Sequence, residues 1–151
     1  MEHRSAGVSP VSDTSPGEPT APRRNEIELS MLAIRDHVPG LRALFAERAM
    51  RAEHDLDFID DVKLAIDEVC AIMLANCSPA DVLALRLFTD SDRVDISARV
   101  ATPGEPVIGS MSLRVLQALA DSLDYWVEDT DGVRVFRLDF GRSRPSATPQ
   151  V

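Results

Sequence analysis

The sequence predicts an α+β domain, a two-layer sandwich with helices covering one face of a mainly antiparallel sheet. Three observations predict it. Short runs of alternating apolar and polar residues have the period of strands with one buried face. Between them lie longer segments whose apolar residues recur at helical spacing. Aspartate-rich turns then join neighbouring strands into hairpins. The order reads β-α-α-β-β-α-β-β, which favours a sheet with its helices on one side.

In the first strand Ile27, Leu29 and Met31 alternate with Glu26, Glu28 and Ser30. The first helix begins near Pro39, a residue suited to a helical first turn, and carries Leu41, Leu44, Phe45 and Ala49 on one face. A second helix starts after Asp55 or Asp57, either of which can cap it, and Asp60 and Asp61 complement the positive end of its dipole. Its stripe is Phe58, Val62, Ala65, Ile66, Val69 and Met73. Leu83, Leu85 and Leu87 alternate with Ala84, Arg86 and Phe88. Asp90-Ser91-Asp92 then turns the chain into Val94, Ile96, Ala98 and Val100. A third helix is expected from about Ser110 to Leu123, carrying Leu113, Leu116, Leu119, Ala120 and Leu123. Two last strands, Tyr125 to Glu128 and Val133 to Phe140, meet at Asp129-Thr130-Asp131-Gly132, whose Asp-Gly pair favours a tight turn.

A chain of 151 residues suits one domain with a core of its own. Residues 1–24 hold Pro10, Pro16, Pro19 and Pro22 among Ser, Thr and Gly, with almost no large apolar side chain, and are expected to be disordered. The same holds for residues 142–151, which leaves a folded unit of 25–141. That unit has 11 basic and 22 acidic residues, more acidic than the overall charge of −9. Such a field repels phosphate backbones, argues against nucleic acid and suits a basic protein partner. With no apolar run near the N-terminus and none approaching the roughly 20 residues of a membrane span, a cytoplasmic location is expected, with no membrane partner.

Several residues have a chemical and a plain reading. Cys70 and Cys77 would sit roughly 10 Å apart on one helix, too far for a disulfide, and read as reduced thiols at the core edge. His3, His37 and His54 are scattered and offer no zinc cluster. Glu53, Asp55, Asp57, Asp60 and Asp61 resemble a calcium loop only in charge. They lack its central glycine and terminal bidentate glutamate, and read better as helix capping and a solvated face, with a share as a partner-binding patch. Asn76 reads as a residue ending the second helix before Ser78-Pro79. Trp126, beside Tyr125, reads as packing in a short strand.

The stretch Leu64-Ala65-Ile66-Asp67-Glu68-Val69-Cys70-Ala71-Ile72 resembles the nucleotide-binding helix of anti-sigma factors of the RsbW type, relatives of the histidine-kinase and Hsp90 ATPases. There the helix reads roughly "aVsEAcxN". Leu113 to Asp121 resembles the family helix "LyLInaLmD", which directly follows the last glycine box. The resemblance spans roughly Glu26 to Phe140 and is nearest to divergent actinobacterial members. It implies a histidine-kinase-like, Bergerat-type ATPase fold.

The resemblance also implies a site with departures. Glu68 matches the catalytic glutamate, the general base toward a substrate serine in active members. Its other reading is a solvated or capping role at the edge of the helix stripe. The magnesium-ligating asparagine is replaced by Ile72, and an alkyl chain cannot serve a hard cation. The first glycine box falls on Val100 to Glu105, with Gly104 but no aspartate for the adenine. The glycines of the second become Ser110 and Ser112, with Gly109 nearby. ATP and magnesium are therefore expected only if these altered positions still bind them. The resemblance implies an anti-sigma factor that sequesters an alternative sigma factor, is released by a STAS-type anti-anti-sigma protein and acts as a homodimer in a stress response. The alternative is an active serine protein kinase that phosphorylates that antagonist.

Overall fold

Six antiparallel strands form a single sheet, in the order β1-β5-β6-β4-β3-β2, and three helices lie against one face of it. The computed structural model describes residues 3–8 and 23–145. The elements are β1 (His3–Val8), β2 (Glu26–Leu32), α1 (Val38–Arg51), α2 (Leu56–Leu74), β3 (Val82–Thr89), β4 (Arg93–Ala101), α3 (Ser110–Leu119), β5 (Ser122–Thr130) and β6 (Val133–Ser143). A single turn of 3₁₀ helix, Arg35–His37, leads into α1.

The expected stripes fill the core. Phe58, Val62, Ala65, Ile66, Val69 and Met73 of α2 are buried, as are Leu83, Leu85 and Leu87 of β3 and Val94, Ile96, Ala98 and Val100 of β4. Asp55 caps α2 by accepting from the Phe58 N–H at 2.8 Å. Asp90 builds the β3–β4 turn, its Oδ1 accepting from the N–H groups of Asp92 at 2.8 Å and Arg93 at 2.9 Å. The β5–β6 turn places Asp131 at φ 52° and Gly132 at φ 79°, the pair of positive angles that an Asp-Gly hairpin turn supplies.

The sheet face away from the helices is laced with charge pairs. Arg86 bonds Glu28 at 2.6 Å, and Arg93 bonds Asp95 at 2.6 Å. Arg23 bonds both Glu26 and Asp95, at 3.0 and 2.9 Å, and lies 3.7 Å from the centre of the Phe88 ring. The Glu26 carboxylate is 2% exposed and the other partners are partly exposed, and the pairs together let a polar sheet face stand in water.

Three expectations differ from the structure. The N-terminal segment is not structureless throughout: His3–Val8 pairs with β5, and Arg23 joins the sheet face. Strand pairing draws on backbone groups that every residue carries, so a segment poor in apolar side chains can still form one. The rest of the expected disordered segment, residues 1–2 and 9–22, lies outside the described residues. At the other end β6 continues past Gly141, with Arg142 opposite Val94 and Ser143 opposite Arg93, while residues 146–151 lie outside the described residues. Finally, α3 stops at Leu119, not Leu123. Ala120 is extended at ψ 141°, and Ser122 and Leu123 pair with Gly141 and Phe140 instead. Leucine spacing alone fits either element, and the pairing with β6 decides it.

Candidate functional site

Helix α2 sets the geometry of the region that the glutamate and glycine boxes bring together. Its stripe faces the sheet, so Glu68, off the centre of that stripe, is half-buried at the flank, as helical spacing requires. Among the described residues Glu68 has no hydrogen-bond or ion-pair partner. Next to it, the Asp67 carboxylate accepts from Arg42 Nε of α1 at 2.8 Å, tying the two helices across their exposed seam.

One turn beyond Glu68, Ile72 is 2% exposed and belongs to the main core cluster. Cys70 is buried, and burial pushes its thiol up to about 12, with the Asp67 carboxylate adding to the effect. Cys77 is half-exposed, and its thiol is raised by the same two causes, burial and a carboxylate, here Asp81. Both cysteines are free thiols.

Asn76, just past the end of α2, does more than end a helix. Its Nδ2 donates to the Ile72 carbonyl at 2.8 Å and to the Val107 carbonyl at 3.0 Å, while its Oδ1 accepts from the Val107 N–H at 2.7 Å. The side chain is therefore satisfied on both its oxygen and its nitrogen, and it fixes the middle of the β4–α3 loop to the end of α2. The loop is held at two further points. The Thr102 N–H donates to the Arg134 carbonyl at 2.9 Å, and Arg134 Nη1 meets Glu105 at 3.1 Å. Sequence reading missed this joint. Its one available signal was an asparagine at a helix end, a residue type that readily bonds nearby backbone.

Gly104 and Gly109 lie on this loop, and neither adopts a positive φ, so the chain's own backbone does not demand glycine at either place. Gly109 is the residue before α3, at φ −60° and ψ 130°, with no side-chain cap. Ser110 opens the helix and is exposed, and Ser112 is half-buried. The sequence-expected positions thus share the C-terminal part of α2 and the loop into α3. Ile72 presents a buried alkyl side chain there, and the loop is fastened by Asn76.

The acidic run is used by the fold. Asp55 caps α2, Asp61 bonds Arg142 at 2.8 Å, and Asp60 lies 3.9 Å from Lys63. Among the described residues no three His, Cys, Asp or Glu side chains converge as a metal site. Glu53 and Asp57 stay exposed beside two exposed apolar residues, Met50 at 61% and Leu56 at 76%. Among the described residues no helix is long and apolar enough to cross a membrane.

No protein-family model matches the chain. Proteins named anti-sigma-F factor RsbW, from two strains of Mycobacterium tuberculosis, are each 30% identical over 135 residues, which cover 82% of this chain and 80% of theirs. A crystal structure of the RsbU and RsbW domains of a Mycobacterium tuberculosis protein superposes with a TM-score of 0.52 at 20% identity, over 82% of this chain. The chain spans 35% of that longer protein, and the likeness establishes the α+β, histidine-kinase-like fold. Similarity over most of both lengths, on the same fold, places the chain in the RsbW family of anti-sigma factors.

Proposed function

We propose that this protein sequesters an alternative RNA polymerase sigma factor and yields it to a STAS-type anti-anti-sigma protein, without phosphoryl transfer. The observation that carries the reading is Ile72, sealed in the core where the family's magnesium ligand belongs. A kinase needs magnesium to neutralise the transferring phosphate, whereas sequestration needs only two mutually exclusive protein interfaces whose relative affinities set the free sigma concentration. The acidic surface supports a basic partner, and the exposed Met50 and Leu56 beside Glu53 and Asp57 offer the apolar contact that a desolvated interface requires. By family resemblance the working unit is a homodimer in the cytoplasm, serving a stress response.

Thermal melting with and without magnesium ATP separates this reading from the kinase. A ligand at 100 times its dissociation constant stabilises a fold by about 2.7 kcal/mol. No shift at millimolar nucleotide is expected, together with formation of a stable complex with the sigma factor in the same nucleotide-free buffer. A clear magnesium-dependent shift, with phosphate transfer to a serine of the antagonist, would establish the kinase instead.

A further inference from the structure

The outer side of α2 has the make-up of an interface. The helix packs against both α1 and α3, so its solvent side is the middle of the helical layer. At about 100° per residue Asp57, Leu64 and Ala71 run in line along that side, with Asp60 and Glu68 roughly 40° to either side of Leu64. Asp57, Asp60, Ala71 and Leu64 are exposed, the last at 41%, and Glu68 is half-buried. An apolar centre inside a charged rim is how protein interfaces are built.

At the N-terminal end of this ridge the α1–α2 corner adds exposed Met50, Leu56 and Glu53. Glu53 stands at φ 65°, its N–H donating to the Met50 carbonyl at 3.0 Å, while the His54 N–H donates to the Ala49 carbonyl at 3.2 Å. Such a helix ending ordinarily takes glycine at the left-handed position. The corner is also firmly held. Asp55 caps α2, and Arg144 Nη2 donates to the Glu53 carbonyl at 2.6 Å.

We propose that this ridge and corner are where the sigma factor docks, through a helix bearing Lys or Arg around an apolar centre; the proposal rests on the sequestration reading. Several carboxylates of the helical layer are already engaged, Asp55 as a cap, Asp61 by Arg142 and Asp67 by Arg42. Among the described residues the side chains of Glu53, Asp57 and Glu68 have no hydrogen-bond or ion-pair partner. They can meet basic side chains without giving up an internal pair, while Met50 and Leu64 supply apolar contact. Glu68 then has a use that needs no nucleotide.

The test measures, by calorimetry, how the sigma factor that accompanies the tagged chain binds the parent and three variants. Glu53→Gly/Asp57→Asn removes two free carboxylates and gives the left-handed position its usual residue. It should melt near the parent yet bind roughly tenfold more weakly. Met50→Ser/Leu64→Ser leaves the charge unchanged and should weaken binding about as much. The control Glu28→Gln/Asp131→Asn makes the same charge change on the sheet's far face and at the β5–β6 turn, and should bind within about twofold of the parent. Parent-like binding by either ridge variant, or an equal loss in the control, overturns the docking site and leaves sequestration standing. So does parent-like sigma binding with weakened capture of the STAS-type antagonist, which would give the ridge to that partner. If no sigma factor accompanies the parent, the sequestration reading falls and the site with it.

Discussion

The side-chain amide of Asn76 brackets the backbone of Val107, accepting from its N–H at 2.7 Å and donating to its carbonyl at 3.0 Å. One asparagine thereby does for the β4–α3 loop what a neighbouring strand would do, and it does so from the end of the helix that carries Glu68 and Ile72. The Val107 side chain, 75% exposed, contributes little to this anchoring. Asn76→Ala leaves these loop groups without their partner and should destabilise the fold by about 1–3 kcal/mol. Amide exchange should rise most at Val107 and its neighbours. A loss below about 0.5 kcal/mol, within the usual range for surface changes, would show that the joint is dispensable.

Restoring the family residue at position 72 should not restore its chemistry. Ile72→Asn places an amide where the side chain is 2% exposed and removes an alkyl group from the core. The expected cost is roughly 3 kcal/mol, from lost packing and an unpaired polar group. Urea unfolding measures it, and calorimetry with magnesium ATP should register no binding by the variant. Tight nucleotide binding would mean that the surrounding residues already form a competent pocket.

Cys70 gives the fold an alkaline limit. Its thiol is raised from 9.0 to about 12 in the folded chain, so the unfolded state releases its proton first as pH rises. The resulting contribution to stability is complete below pH 9 and declines through the window up to about 12. Cys70→Ala should therefore flatten the fall of Tm between pH 9 and 11, relative to the parent. Equal slopes would show that Cys70 ionises as readily in the folded chain as in the unfolded one. Under native conditions an alkylating reagent should modify half-exposed Cys77 well before Cys70.

Gly141 is a glycine for reasons of space. A Cβ there would lie 2.5 Å from Ser122 Oγ and 2.9 Å from Arg93 Nη2, so both side chains must shift and the Arg93–Asp95 pair is disturbed. Gly141→Ala should cost about 1 kcal/mol, as Ser122 and Arg93 give up their places. Gly104→Ala meets nothing within 4 Å and should be tolerated within about 0.5 kcal/mol. Chemical denaturation of both variants checks the contrast, and equal effects would contradict it.

The helix and strand order was readable because α2 and the β3–β4 hairpin carry strong periodic patterns that burial then selects. Asp55, Asp90 and the Asp131-Gly132 pair were readable because capping and turn chemistry is local. The end of α3 was not, since Leu119 and Leu123 satisfy helical spacing and only pairing with Phe140 assigns Leu123 to a strand. The β1–β5 pairing was hidden for the same reason, being a backbone contact between distant segments. At the candidate site, Ile72 is buried although it was not among the expected stripe residues, whereas Glu68 could be placed from helical phase. The Asn76 joint could not, because its partner is the backbone of a residue 31 positions away.

The most direct test of sigma sequestration without ATP is to purify a tagged copy of the chain from its native cell under mild salt, with and without magnesium ATP. Mass spectrometry then quantifies what accompanies it. A stoichiometric alternative sigma factor, recovered equally in both preparations, is the expected result. Recovery of other proteins with no sigma factor while candidate sigma genes are expressed, or recovery that depends on the nucleotide, would contradict it.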